Sequence, residues 1–194
     1  MEKKVFTARQ ITGIAVLLAL VIVLQAALGS ITIGAVTLNF TLIPIVLGGI
    51  LFGSLAGAIL GFACGVVVLI QVMIGGSPFY TLIWANDPLV TTLTCLVKTT
   101  LAGYVCGLVY NVIKTKQPTV ALFVASAIVP VVNTLVFIIG CLFMFDSVYT
   151  INEGQNILVF ILVGLVTFNF FIELAINLIF APSINKIIKI VKKG

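Results

Sequence analysis

The stretch Leu38–Ile74, LNFTLIPIVLGGILFGSLAGAILGFACGVVVLIQVMI, contains no charged residue. It is too long for one helix across a hydrocarbon core about 30 Å thick, since a crossing takes about 20 residues. The segment Gly53–Gly57 is the best place for a turn, and it divides the stretch into two spans. Glycines recur here at every fourth position, a spacing that favours close packing of membrane helices. They are Gly49, Gly53, Gly57, Gly61 and Gly65.

Apolar runs of similar length fill the rest of the chain, which has 194 residues, 62% of them hydrophobic and 8% charged. A soluble domain carries roughly 25% charged residues, so these apolar residues have to face lipid. The runs are apolar on all sides and lack the alternation of a membrane barrel. The sequence therefore predicts an all-α membrane protein with one integral membrane domain, 1–194. Its six spans are 11–28, 38–52, 55–74, 89–113, 120–145 and 157–180.

The basic residues predict the orientation of the chain in the membrane. Nine of the ten lie near the termini or in the short connection 114–116. Cytoplasmic segments carry such an excess of Lys and Arg, so both the N- and C-termini are expected in the cytoplasm. Pro182 is expected to end the last span, and the basic tail after it suits an anionic membrane surface. The nine residues are Lys3, Lys4, Arg9, Lys114, Lys116, Lys186, Lys189, Lys192 and Lys193.

The composition argues against several classes of enzyme. There is no histidine, which removes Ser–His pairs and His-containing metal sites. Among the five acidic residues only Glu173 lies deep in a span, so no two carboxylates share a membrane site. No phosphate-binding loop with Gly-Lys-Ser/Thr occurs. We therefore expect no catalytic residue, no metal site and no cofactor, and the four cysteines are interpreted as packing residues.

Polar side chains in or beside the spans are the candidates for ligand binding, because they are costly in a membrane and usually face the protein interior. Lys98 is the only basic residue clearly inside a span, on one face with Thr91 and Thr94, and it suits a carboxylate or phosphate. The alternatives are a lysine that snorkels outward or pairs with Asp87. The other candidates are Asn39, Gln71, Tyr80, Trp84, Asn86, Asn133 and Asn169.

Several of these candidates have a structural explanation as well. Asn133 follows Pro130, and its side chain could satisfy a backbone carbonyl that the proline frees. Tyr80 and Trp84 are residue types common at membrane interfaces. Asn169 forms a polar stripe with Glu173 and Asn177, both interpreted as structural residues nearer the cytoplasm, with Arg9 as a possible partner of the stripe.

These features together resemble the substrate-binding S-component of energy-coupling factor (ECF) vitamin transporters of Gram-positive bacteria. The resemblance is carried by the size with six spans, the patch Ala15–Ala19 (AVLLA), the run Leu38–Ala58 and the long outer loop Gly75–Pro88. It implies that Ala15 and Ala19 contact a transmembrane scaffold subunit, driven by two ATPase subunits, in the cell membrane. It also implies a vitamin site near the outer face, among the later helices and outer loops.

The segments WANDP (84–88) and IELAINL (172–178) look most like members of that family assigned to pantothenate. Lys98 would suit the carboxylate of this vitamin, and the asparagines its amide and hydroxyls. Riboflavin is the next choice, since Trp84 could stack on a flavin. Two other classes stay open: a membrane enzyme of lipid metabolism, and a non-transport scaffold that would not need Lys98, Asn133 and Asn169 to converge on one cavity.

Overall fold

The computed structural model of the chain describes residues 6–28, 32–33, 36–37, 39–76, 78–144 and 167–193. These residues form a bundle of helices with one short hairpin. The predicted outer loop 146–156, the segment 157–166 of the sixth span, Ser77 and the pair Lys3 and Lys4 lie outside them. The elements are α1 (Ala8–Leu28), β1 (Thr32–Ile33), β2 (Val36–Thr37), α2 (Leu42–Phe52), α3 (Ser54–Met73), α4 (Pro78–Asn86), α5 (Pro88–Ile113), α6 (Pro118–Phe143) and α7 (Thr167–Lys193).

The predicted all-α membrane fold is confirmed. Five of the described helices, α1, α3, α5, α6 and α7, are long and apolar enough to cross a membrane. Three helices begin with a proline, which fixes the backbone angle φ and needs no hydrogen-bond acceptor in the first turn. These prolines are Pro78, Pro88 and Pro118. Between α1 and α2, the short strands β1 and β2 pair antiparallel.

Helix α2 is shorter than the predicted second span, with eleven residues or about 16 Å of rise. It nevertheless returns the chain across the bundle. Helices α1 and α3 run in the same direction, because Gln25 near the end of α1 bonds to Gln71 near the end of α3. Helix α2 begins just after Thr41, whose hydroxyl lies 3.3 Å from Oε1 of Gln25 near the end of α1. It ends at Phe52, whose ring lies against Gly13 near the start of α1. Most of α2 is buried, so protein rather than lipid surrounds this short helix.

The repeated glycines pack helix α3 against helix α5, as the sequence predicts. Gly57 lies against Gly103, Gly61 against Thr99 and Gly65 against Cys95, so the two helices are antiparallel. A Cβ atom built on Gly65 would lie 2.6 Å from the carbonyl oxygen of Cys95, which is too close for any other residue. Small residues at this interface are therefore required by the approach of the two backbones.

Gly53 has a different role from the other glycines of this repeat. It lies between α2 and α3 with a φ of +96°, a backbone conformation that glycine adopts without strain. The turn that was predicted in Gly53–Gly57 is thus confirmed at its first residue.

Two local expectations are wrong. The segment Gly75–Pro88, expected to be a loop, contains the helix α4, whose Tyr80 and Ile83 are buried. Pro182, expected to end the last span, lies inside α7. A proline removes one backbone hydrogen bond, but burial of the following turn at Ile184 and Ile188 favours continuation of the helix.

Candidate functional site

Lys98 lies inside the bundle, with only 7% of its surface exposed. Its Nζ donates a 2.8 Å hydrogen bond to the hydroxyl of Tyr80 on α4. The ammonium also lies 4.7 Å from the ring centroid of Tyr80 and 5.9 Å from that of Phe137, within the range of cation–π attraction. Burial raises the pKa of the Tyr80 hydroxyl, which therefore stays neutral and accepts the bond. Among the described residues, Lys98 has one hydrogen-bond acceptor for its three N–H donors.

The two structural explanations of Lys98 do not match its surroundings. The side chain does not snorkel outward, and its hydrogen bond goes to Tyr80 rather than to Asp87, which immediately precedes α5. Thr91 and Thr94 are buried on the same face of α5, as predicted. Their hydroxyls donate to backbone carbonyls four residues earlier, so they are satisfied within their own segment.

Glu173 is a second buried charged residue, on α7, with 5% of its surface exposed. Its Oε1 accepts a 3.1 Å hydrogen bond from the backbone N–H of Asn39, just before α2. Its Oε2 lies 3.5 Å from Nδ2 of Asn133 on α6, at the long limit of a hydrogen bond. Glu173 thus joins α6 and α7 to the start of α2.

This position of Glu173 corrects the sequence interpretation. Glu173 bonds to Asn39 and Asn133 and not to Arg9. Its contact with Asn39 places it level with the start of α2.

The neighbouring residue Asn133 also differs from its structural explanation. Its amide donates to Glu173 rather than to a carbonyl freed by Pro130. Its Oδ1 is buried and has no hydrogen-bond partner among the residues that the structure describes. This acceptor oxygen and the adjacent carboxylate together leave unused hydrogen-bonding capacity on the α6–α7 side of the bundle.

A chain of amides and hydroxyls extends from Asn39 towards α1. The Thr41 hydroxyl lies beside Oδ1 of Asn39 and 3.3 Å from Oε1 of Gln25, so its single proton serves one of the two oxygens. Gln25 donates a 2.8 Å bond to Oε1 of Gln71 and accepts a 2.9 Å bond at its backbone carbonyl from the Gln71 amide. The predicted residues Asn39 and Gln71 therefore belong to one hydrogen-bonded network.

Lys98 and Glu173 lie in the same layer of the bundle. Lys98 lies 5.9 Å from the ring centroid of Phe137, which is one turn along α6 from Asn133, and Asn133 contacts Glu173. The buried thiol of Cys64 lies 3.0 Å from the Thr41 hydroxyl. The two side chains nevertheless form no direct ion pair: the ammonium bonds to Tyr80 and the carboxylate to Asn39 and Asn133. The arrangement places a donor group and an acceptor group of opposite charge in the interior of the bundle.

The remaining predicted binding residues, Trp84, Asn86 and Asn169, differ in their burial and in their contacts. Trp84 is half-buried and packs against the hydrophobic core. Asn86 is exposed and bonds to the carbonyl of Leu82 on its own helix, so it is not part of the network. Asn169 is buried on α7, one turn before Glu173.

The predicted partner patch, Ala15–Ala19, lies on the surface of the bundle, unlike the buried residues Lys98 and Glu173. Ala15 and Ala19 both lie on the exposed side of α1. Larger apolar side chains beside them, such as Val16 and Leu20, are exposed as well. A helix from another subunit has direct access to this side of α1.

The sequence interpretation missed Gln25 and Thr41 as members of the network and undervalued Glu173. Gln25 carried a usable signal, because it is the one polar side chain in the otherwise apolar run Ile14–Leu28 and its burial in a membrane needs a partner. Thr41 and Phe137 carried none, since both residue types are common in apolar helices.

A cavity of about 350 Å³ opens between α5 and α6, and neither Lys98 nor Glu173 lines it. Thr94 is the single polar residue in a lining that is otherwise apolar, and Leu93, Ile139 and Phe143 are exposed. An apolar, open groove of this kind suits hydrocarbon better than a water-soluble ligand.

Comparison with known proteins gives one match. A family model described as "ECF transporter, substrate-specific component" matches residues 9–184. No curated protein and no solved structure matches the chain.

Proposed function

Since the chain belongs to the substrate-specific components of ECF transporters, we propose that it binds a carboxylate-bearing, water-soluble vitamin, pantothenate, for import. A member of this family is the substrate-specific subunit of an ECF importer, which is a transport role and not a catalytic one. The proposal concerns the identity of the vitamin and the residues that bind it.

The observation that carries the proposal is the environment of Lys98. A buried ammonium in a membrane protein is costly unless an anion or several acceptors compensate it. The described partners of Lys98 are a neutral hydroxyl and two aromatic rings. The carboxylate of a bound ligand would supply a direct ion-pair partner, which Glu173 does not form, together with charge-assisted hydrogen bonds.

The other polar groups of the site suit the uncharged part of pantothenate. This vitamin carries an amide and two hydroxyls besides its carboxylate. Asn133 and Asn169 on the adjacent helices are buried, and amide side chains both donate and accept hydrogen bonds. Riboflavin finds less support, because Trp84 packs against the core of the protein rather than presenting a free ring.

The proposal extends to the partners and to the membrane. The family implies a scaffold subunit and ATPase subunits, and we assign the exposed patch Ala15–Ala19 to the contact with the scaffold. Both termini are proposed to be cytoplasmic, in the cell membrane of a Gram-positive type of bacterium. The positive-inside rule supports this orientation, because Arg9, Lys114 and Lys186 all lie at or near the same end of the bundle.

Binding of pantothenate and of its uncharged alcohol analogue, pantothenol, tests the role of Lys98. Isothermal titration of the purified wild type should give tighter binding of pantothenate. The variant Lys98→Met keeps the apolar stem and removes the charge, so pantothenate should bind roughly ten- to a hundred-fold more weakly, while pantothenol changes little. Folding should be little changed or slightly improved.

The matched control is Thr94→Val, a buried change one turn away on the same helix face. The Thr94 hydroxyl bonds only to its own helix, so this variant should bind both compounds as the wild type does. Equal affinity of the wild type for the two compounds would show that Lys98 does not anchor an anion. Failure of the wild type to bind either compound would show that pantothenate is not the ligand.

A further inference from the structure

Glu173 has no role in the function proposed so far, yet it lies in the same buried layer as Lys98. It is an acidic group in the interior of a membrane protein, where an ionised carboxylate needs several hydrogen-bond donors. It has one well-formed bond, to the N–H of Asn39 at 3.1 Å, and one long contact, to Asn133 at 3.5 Å. An ionised carboxylate accepts about four hydrogen bonds, so part of its capacity is unused among the described residues.

The geometry of the two charges excludes the simplest explanation of this carboxylate. If Glu173 served only to neutralise Lys98, the two side chains would form a direct ion pair. Instead, the ammonium bonds to Tyr80 from α4 and the carboxylate bonds to the start of α2. The two side chains nevertheless lie in the same part of the bundle, because Lys98 contacts the ring of Phe137, one turn along α6 from Asn133.

We propose that Glu173 is a specificity-determining residue that accepts a hydrogen bond from an uncharged donor of the ligand, a hydroxyl or an amide N–H, while Lys98 holds the anionic group. The inference rests on the proposed function, since it takes Lys98 as the anion anchor. It deepens that function by defining the ligand class: a monoanion whose hydrogen-bond donors lie apart from its charge.

Charge also predicts what this arrangement rejects. A second anionic group at the donor end of the ligand would be placed beside the Glu173 carboxylate in a poorly screened interior. Like charges brought together in this way weaken binding by about a hundred-fold or more, which discriminates against the wrong ligand. The site should therefore accept a hydroxyl at that end and exclude a phosphate.

The pair pantothenate and 4′-phosphopantothenate tests this selectivity, because the second compound replaces the terminal hydroxyl by a phosphate. Titration of the wild type should give binding of the phosphorylated compound at least about a hundred-fold weaker. In Glu173→Gln, pantothenate should bind about ten-fold more weakly and 4′-phosphopantothenate about ten-fold more tightly. The ratio of the two dissociation constants should thus fall by about a hundred-fold.

Glutamine has the size of glutamate and can still accept the bond from Asn39, so a change of this ratio reports charge and not space. Glu173→Asp keeps the charge and should keep the preference for pantothenate. If Glu173 only joined α7 to α2, the Gln variant would weaken both compounds equally, and an unchanged ratio would overturn the inference.

Equal binding of the two compounds by the wild type would overturn the inference without any variant. Neither of these results bears on the role of Lys98, which is tested separately by comparing the binding of pantothenate and pantothenol. A wild type that binds neither pantothenate nor its phosphate would instead remove the proposed function, and the role of Glu173 with it.

Discussion

Glycines within the helices differ in what surrounds them, and the sequence alone does not show this difference. A Cβ atom on Gly61 would collide with the backbone carbonyl of Thr99, whose hydroxyl also donates a 2.7 Å bond to the Gly61 carbonyl. A Cβ atom on Gly48 in α2 would meet the end of the Leu60 side chain, which can move aside. The backbone of α5 cannot move without separating the two helices.

The variant Gly61→Ala should lower the free energy of unfolding by about 1–3 kcal/mol, the usual cost of overpacking. Gly48→Ala is the matched control, because both changes improve intrinsic helix propensity by up to about 1 kcal/mol. Denaturant titration of the two variants in detergent micelles measures the difference. Equal stabilities would mean that the backbones of α3 and α5 do not approach as closely as described.

The position of helix α7 along the bundle sets the depth of its polar residues. The helix continues through Pro182 with an apolar part that extends to Ile188, and the contact of Glu173 with Asn39 places this residue level with the start of α2. Burial of Ile184, which is 1% exposed, against 40% exposure of Ile187 identifies the inward face of the last turns.

Replacement of Ile184 by alanine should destabilise the protein by about 2 kcal/mol, the low end of the range for a large-to-small core change. The value is low because the helices stay in an apolar environment when the bundle unfolds, so contacts with lipid replace part of the packing energy that the side chain contributes. Ile187→Ala, on the exposed face of the same turn, should change stability little. If α7 ended at Pro182, thermal unfolding in detergent would give the same small effect for both variants.

The whole bundle places the two proposed surfaces on different sides of the molecule. The polar network lies in the interior, around α2, α5 and α7, whereas Ala15 and Ala19 lie on the exposed side of α1. A transport subunit of this family needs both, one for the ligand and one for its partner subunits.

The double variant Ala15→Leu with Ala19→Leu should block copurification of the scaffold and ATPase subunits, because bulky side chains prevent close approach of a partner helix. Pantothenate binding to the isolated subunit should stay unchanged. Ala85→Leu, the same change at an exposed alanine of α4, is the control and should leave assembly intact. Normal copurification of the double variant would refute the assignment of this patch.

The sequence by itself determined the membrane class, the order of the helices and the close packing of α3. These depend on local properties: apolar runs without charge, and glycines at every fourth position of Gly49–Gly65. It also indicated Lys98 as a candidate binding residue, because a charged residue is conspicuous within an apolar run. The short length of α2 and the helix α4 escaped it, since burial rather than propensity sets their ends.

Only the tertiary structure decided the partners of the polar residues. A helix that is apolar on all sides carries no period that says which face points inward, so the pairing of Lys98 with Tyr80 could not be deduced from spacing. The level of Glu173 is given by its contact with Asn39, and packing of Ile184 and Ile188 carries α7 past Pro182, a residue that usually ends a helix. The energy of that packing comes from neighbouring helices, and a single segment of sequence does not contain it.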